Sequence, residues 1–282
     1  MVALGFLSHL NNYYMRHRFT IILLAGLIIS SCTKENQHVS PEPAKGNKVS
    51  PLFRYSGSDY SQHISKDSAD RMVASYLASL GSDTGGDLQS LTFNADSMRS
   101  YLGNSGIATL KFSLAHKRPY INQGNYGDNM GVSAEALTFI LSALDEEDDD
   151  YIYASGEYVY DLSTSERIGT DTANHMMLSY LSSINYTTNN IDLRSMTFDA
   201  DTMRGFLENS NIVKLKFILA HRDTYINKGN YGQYCGTSAD GLTFVIVGLG
   251  TSDEVIYTSS NMVMEHTRPC PDFCTGSTLF TL

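Results

Sequence analysis

The sequence predicts an α+β protein built as a tandem duplication, each copy two helices followed by an antiparallel three-stranded meander. Three observations predict it. The segment from Gln89 to Phe139 returns from Arg194 to Phe244 with 30 identities in 51 positions, a period too long for a solenoid unit. Apolar residues recur at helical spacing early in each copy, as Met72, Val73, Tyr76, Leu77 and Leu80, then as Met176, Met177, Tyr180, Leu181 and Ile184. Strand-like alternation follows, with Leu110, Phe112 and Leu114 set against Lys111, Ser113 and Ala115, and Leu215, Phe217 and Leu219 set against Lys216, Ile218 and Ala220. The copies are expected to span 64–161 and 168–266, joined by a short link at 162–167. About a hundred residues per copy is enough to bury an independent core.

The beginning of the chain carries a targeting pattern. Arg16, His17 and Arg18 form a basic stretch, Phe19 to Ile29 a short apolar one, and small residues follow. This is the order of a secretory leader, too short for a membrane span, with residues 1–31 as its extent and Met15 as a possible true start. The ending Ile29-Ser30-Ser31-Cys32 resembles a bacterial lipobox. The resemblance implies cleavage before Cys32, acylation of its sulfur with diacylglyceryl and palmitate-type chains, and a membrane-anchored place in the cell envelope. Thr33-Lys34-Glu35-Asn36 has a weak likeness to surface-export signals of Gram-negative lipoproteins, which favours the outer membrane on its periplasmic or surface face. The body resembles only uncharacterised envelope lipoproteins, a likeness that supplies no function. Residues 32–63 lack apolar periodicity and read as a flexible tether.

Within each copy the first helix offers Asp67 or Asp171 as its N-cap. A second, shorter helix is marked by LTFNADSMRSYL and MTFDADTMRGFL, with Asn94 or Asp199 as cap. Asp96–Arg99 and Asp201–Arg204, three residues apart, read as surface ion pairs. The runs ALTFILSAL and GLTFVIVGL suit central strands, and YIYASGEYVYD or VIYTSSNMVME supplies the third strand. The acids from Asp145 to Asp150 lack the spaced ligands of a calcium loop and fit a solvated turn.

Composition narrows the function. The chain carries a net charge of −10, or −12 once the leader's two arginines are set aside, with no basic stripe. That excludes nucleic acid as the expected partner. The candidates for chemistry are His116 and His221 at the ends of matched strands, with Tyr120 and Tyr225 and Asn122 and Asn227 beside them. No nucleophile motif accompanies them, and their presence in both copies fits a fastener between the strand end and the Gly-Asn-Tyr-Gly turn. Cys235, Cys270 and Cys274 are disulfide candidates, since an exported protein meets an oxidising space. His266, Cys270 and Cys274 are spaced four apart, which a zinc site can use, with Cys235 or His221 as fourth ligand. Tyr126 and Tyr231 suit contact with a protein or glycan ligand.

The expectation is a lipid-anchored envelope protein acting as a non-enzymatic binding or structural module without a cofactor. The alternative is a hydrolase or metal-dependent enzyme using His221, Tyr225 and the Cys-His tail (267–282 beyond His266), with zinc as its cofactor.

Overall fold

Alternating and wholly apolar strands in one sequence require both one-sided and two-sided burial, and the fold supplies both. The computed structural model describes residues 62–81, 86–145, 158–185, 191–257, 262–265 and 268–270, all within one compact unit. It is a mixed helix-and-sheet architecture with two antiparallel six-stranded sheets. The strands are β1 (Gln62–Ser65), β2 (Ser90–Asn94), β3 (Thr109–His116), β4 (Leu137–Leu144), β5 (Tyr158–Asp161), β6 (Glu166–Gly169), β7 (Ser195–Asp199), β8 (Lys214–His221), β9 (Leu242–Leu249), β10 (Val255–Ile256), β11 (Met262–Glu265) and β12 (Arg268–Cys270). The helices are α1 (Lys66–Ser79), α2 (Ala95–Leu102), α3 (Arg118–Asn122), α4 (Thr170–Ser183), α5 (Ala200–Leu207) and α6 (Asp223–Tyr225), the last running into a π-helical turn, Ile226–Asn230.

One sheet has the order β1-β11-β9-β8-β2 with β10 on β9, and the other runs β12-β7-β3-β4-β5-β6. The expected meanders are present as β3-β4-β5 and β8-β9-β11. The strands of segment 64–161 are nevertheless divided between the sheets, as are those of 168–266. β2 pairs with β8, setting Leu91 opposite Phe217 and Phe93 opposite Leu215. β7 pairs with β3, setting Met196 opposite Phe112 and Phe198 opposite Leu110. Helices follow their strands: α1 packs on β8 and α4 on β3. The β1-α1-β2 unit therefore joins the sheet of β8, β9 and β11, and the β6-α4-β7 unit joins that of β3, β4 and β5.

The two sheets pack face to face through their aromatic residues. Phe112 lies 5.3 Å from Phe217, and Phe139 lies 4.6 Å from Phe244, ring centre to ring centre. Such tilted pairs add to the area they bury. The outer faces are covered by α1, whose Ala69 and Met72 meet Ala220 and Val245, and by α4, whose Ala173 and Met176 meet Ala115 and Ile140. The layers are helix, sheet, sheet, helix.

Local chemistry explains several departures from the sequence reading. The residues Leu91-Thr92-Phe93 open a strand rather than a helix, with Leu91 and Phe93 buried and Thr92 and Asn94 exposed at period two. The short helix then starts at Ala95, and Asn94 and Asp199 cap α2 and α5 as expected, accepting from Ser97 N at 2.8 Å and Thr202 N at 2.6 Å. Because a strand runs straight into each first helix, α1 and α4 begin before the expected caps. Ser65 caps α1, and Gly169 holds the corresponding place at α4 without a side chain. Asp67 and Asp171 sit instead in the first helical turn, where the helix dipole favours them. Lys111 and Ser113, which alternate with the apolar residues of β3, are 2% and 1% exposed, because β3 is covered on both faces.

The two Asp-Arg pairs form, yet the arginines also do more than expected. Arg99 meets Asp96 at 2.7 Å and donates to the carbonyls of Leu207, Asn209 and Ile212. Arg204 meets Asp201 and donates to the carbonyls of Leu102, Asn104 and Ile107. Each guanidinium thus closes the carbonyl end of the other copy's short helix.

Candidate functional site

The last residue of β3 is His116 and the last of β8 is His221. Each ring is sealed, His116 at 2% exposure and His221 at 0%. His116 Nδ1 lies 2.9 Å from the hydroxyl of Ser179 on α4, and that hydroxyl accepts from the backbone N–H of Gly127 at 3.1 Å. His221 Nδ1 lies 2.9 Å from the hydroxyl of Ser75 on α1, which accepts from Gly232 N–H at 3.1 Å. The strand end, the packed helix and the Gly-Asn-Tyr-Gly turn therefore meet at one oxygen atom in each half. Gly127 and Gly232 are suited to it. Their φ values of +78° and +70° fall where side chains are strained, and a Cβ on either would stand 3.4 Å from a helix side chain.

Aromatic edges complete each cage. His116 has Tyr120 at 5.2 Å and Tyr180 at 5.8 Å, and His221 has Tyr225 at 5.0 Å and Tyr76 at 5.7 Å, all close to perpendicular or steeply tilted. Tyr76 and Tyr180 are tied in turn to the carbonyls of Leu88 and Leu193 at 2.7 Å. Burial pushes both imidazoles down to about 4, with Asp128 opposing the effect weakly at His116. At neutral pH both rings are uncharged. In each pair the imidazole and the serine it meets are both sealed from solvent.

The structure brings His116 together with Tyr120, and His221 with Tyr225, but not with the asparagines. Asn122 is exposed, while Asn227 accepts from Arg71 at 2.7 Å on the surface. The serines that complete both sites were not singled out from sequence. Their signal is a small polar residue beside the apolar helical stripe at the same place in both copies, Ser75-Tyr76-Leu77 and Ser179-Tyr180-Leu181.

Among the described residues Cys235 is a free thiol, and burial pushes it up to about 12. The backbone of Cys270 lies on β12, paired with Ser195. Its side chain, along with His266, Cys274, Cys32, the leader, the tether up to residue 61 and the acids beyond Asp145, lies outside the described residues, while Gln62 and His63, read as the end of the tether, instead open β1 and pair with Glu265 and Met264. Among the described residues no group of three or more potential metal ligands gathers.

A polar cluster beside the first cage was also not foreseen. Asp161 is 2% exposed and accepts from Thr138 Oγ1 at 2.6 Å and from the Ser163 N–H and hydroxyl at 2.9 and 2.8 Å. Lys117 donates to the Ala134 carbonyl at 2.6 Å, and burial lowers its pKa against the pull of Asp161. Lys117, Asp161 and Ser163 border a cavity of about 390 Å³, but each already has its partner.

No family model, no curated protein and no solved structure matches this chain. No helix among the described residues is long and apolar enough to cross a membrane.

Proposed function

We propose that the protein is a lipid-anchored envelope protein whose duplicated body binds a ligand rather than transforming one. The observation that carries the reading is the closure of both His–Ser pairs within the core, which spends the best candidates for chemistry on holding the fold together. The lipobox at Cys32 supports the anchor, through acyl chains that each contribute about 0.8 kcal/mol per buried methylene. The finer architecture follows from the same repeat: a gene duplication fused two copies that exchange their opening strand-helix-strand units, as a swapped pair of separate chains would.

Replacing Cys32 by Ala and fractionating membranes tests the anchor, with release into the soluble fraction expected; unchanged membrane retention defeats it. Purified protein screened against ester and peptide substrates tests the body. No turnover is expected, and turnover that disappears in His221→Gln would establish the enzymatic alternative. Metal analysis adds a separate check, since stoichiometric zinc together with reduced Cys270 and Cys274 would place a metal site in the tail.

A further inference from the structure

The outer faces of the two sheets differ in a direction opposite to what solvent demands. Beside α4 the face is closed: Lys111, Ser113 and Ser142 are buried, and Leu181 of the helix is 5% exposed. Beside α1 the corresponding face stays open as a groove of about 860 Å³, within the range of small-molecule sites. Yet the open face is the more apolar one. Ile218 and Val247 stand where the closed face has Ser113 and Ser142. Leu77 on α1 is 36% exposed into this groove, and Val255 and Tyr257 on its far wall are 39% and 37% exposed. Three large apolar side chains left open along one groove mark a surface built to be covered.

Charge indicates the kind of occupant. Lys66, Lys214 and Lys216 line the groove with only two carboxylates, Asp70 and Asp253. Lys66 is paired with Asp70, and Lys214 with Asp253 at 2.8 Å. Lys216, the third residue of β8, has no ion-pair partner among the described residues. The groove therefore offers an apolar floor and one uncommitted positive charge in a protein whose net charge is −10.

We infer that this groove binds a free fatty-acid carboxylate, its single acyl chain along Ile218, Val247 and Leu77 and its head on Lys216. This rests on the binding-module reading and names its ligand class. The test is titration of the purified chain with laurate, followed by calorimetry, alongside dodecanol and a dodecyl trimethylammonium cation of equal chain length. One laurate per chain is expected, with dodecanol about tenfold weaker and the cation weaker still. Lys216→Glu should weaken laurate about tenfold, while Ile218→Glu abolishes binding; Ile218→Ala, a milder change, should weaken it with the fold intact.

Absent laurate binding, binding indifferent to these three variants, or equal affinity for laurate and dodecanol overturns the inference. So does a chain that dimerises and becomes monomeric on Ile218→Glu, because the face would then belong to a second copy. Hydrolysis of a dodecanoate ester that is lost in His221→Gln would defeat the binding-module reading itself. No hydrolysis and no laurate binding would defeat only the groove.

Discussion

The Ser179 hydroxyl lies 2.9 Å from His116 Nδ1 across 63 positions of sequence, and the same oxygen receives the Gly127 N–H. Removing it takes a partner from the buried imidazole and from the half-buried Gly127 N–H at once. Ser179→Ala, and Ser75→Ala in the other half, should each cost about 1–3 kcal/mol, measured as a shift in the urea midpoint. The two networks share no partner, so the double variant should show close to the sum.

Stability should fall as pH drops from about 6.5 toward about 4. The unfolded chain protonates its histidines near 6.5, whereas His116 and His221 in the folded state resist to about 4. Between those values the unfolded state holds more protons, and acid favours it. The stabilisation is therefore complete above 6.5 and lost through that window, by roughly 3 kcal/mol for each ring. Urea unfolding at several pH values checks this. The His116→Gln/His221→Gln double variant should be less stable at neutral pH yet flatter between 6.5 and 4; an undiminished slope would refute the assignment.

Arg99 and Arg204 each reach three carbonyls of the opposite copy, a task for a planar fork rather than a point charge. Arg204→Ala should destabilise by about 1–3 kcal/mol, and Arg204→Lys should recover little of that. Asp201→Asn should fall within about 0.5 kcal/mol, because its carboxylate is exposed. Thermal or urea unfolding of the three variants orders them.

Cutting the backbone should not separate the halves. A protease site placed between Thr164 and Ser165, in the turn joining β5 to β6, leaves β2 on β8 and β7 on β3. After cleavage the two fragments should elute together at the size of the intact chain and part only in denaturant. Separation under native conditions would contradict the exchange.

Much of the local structure was legible because it depends on near neighbours. The phase of Leu110-Phe112-Leu114 and Leu215-Phe217-Leu219 and the caps at Asn94 and Asp199 follow from residues within a few positions of one another, whereas each histidine reaches its turn only through a distant helix serine. The exchange was not legible. Leu91-Thr92-Phe93 has as good a partner in Leu110-Lys111-Phe112 as in Leu215-Lys216-Phe217, and two triplets of identical sequence carry no pattern that distinguishes them. Ser75 and Ser179 were hidden for a similar reason. A helical serine beside an apolar stripe signals nothing until the distant ring that it meets is known.

The exchange also orders events in time. The sheet holding β3 through β7 draws those five strands from one continuous stretch, Thr109 to Asp199, so they can pair once that stretch exists, with only β12 added later. The other must wait: Gln62 pairs with Glu265, 203 residues downstream. During synthesis β1, α1 and β2 are made before the strands that complete their sheet, so their apolar stripe stays uncovered until β8 and β9 arrive. Closure over so long a loop is slow. The vulnerable interval in this protein's life is therefore its synthesis, when its earliest segment most needs shielding from aggregation.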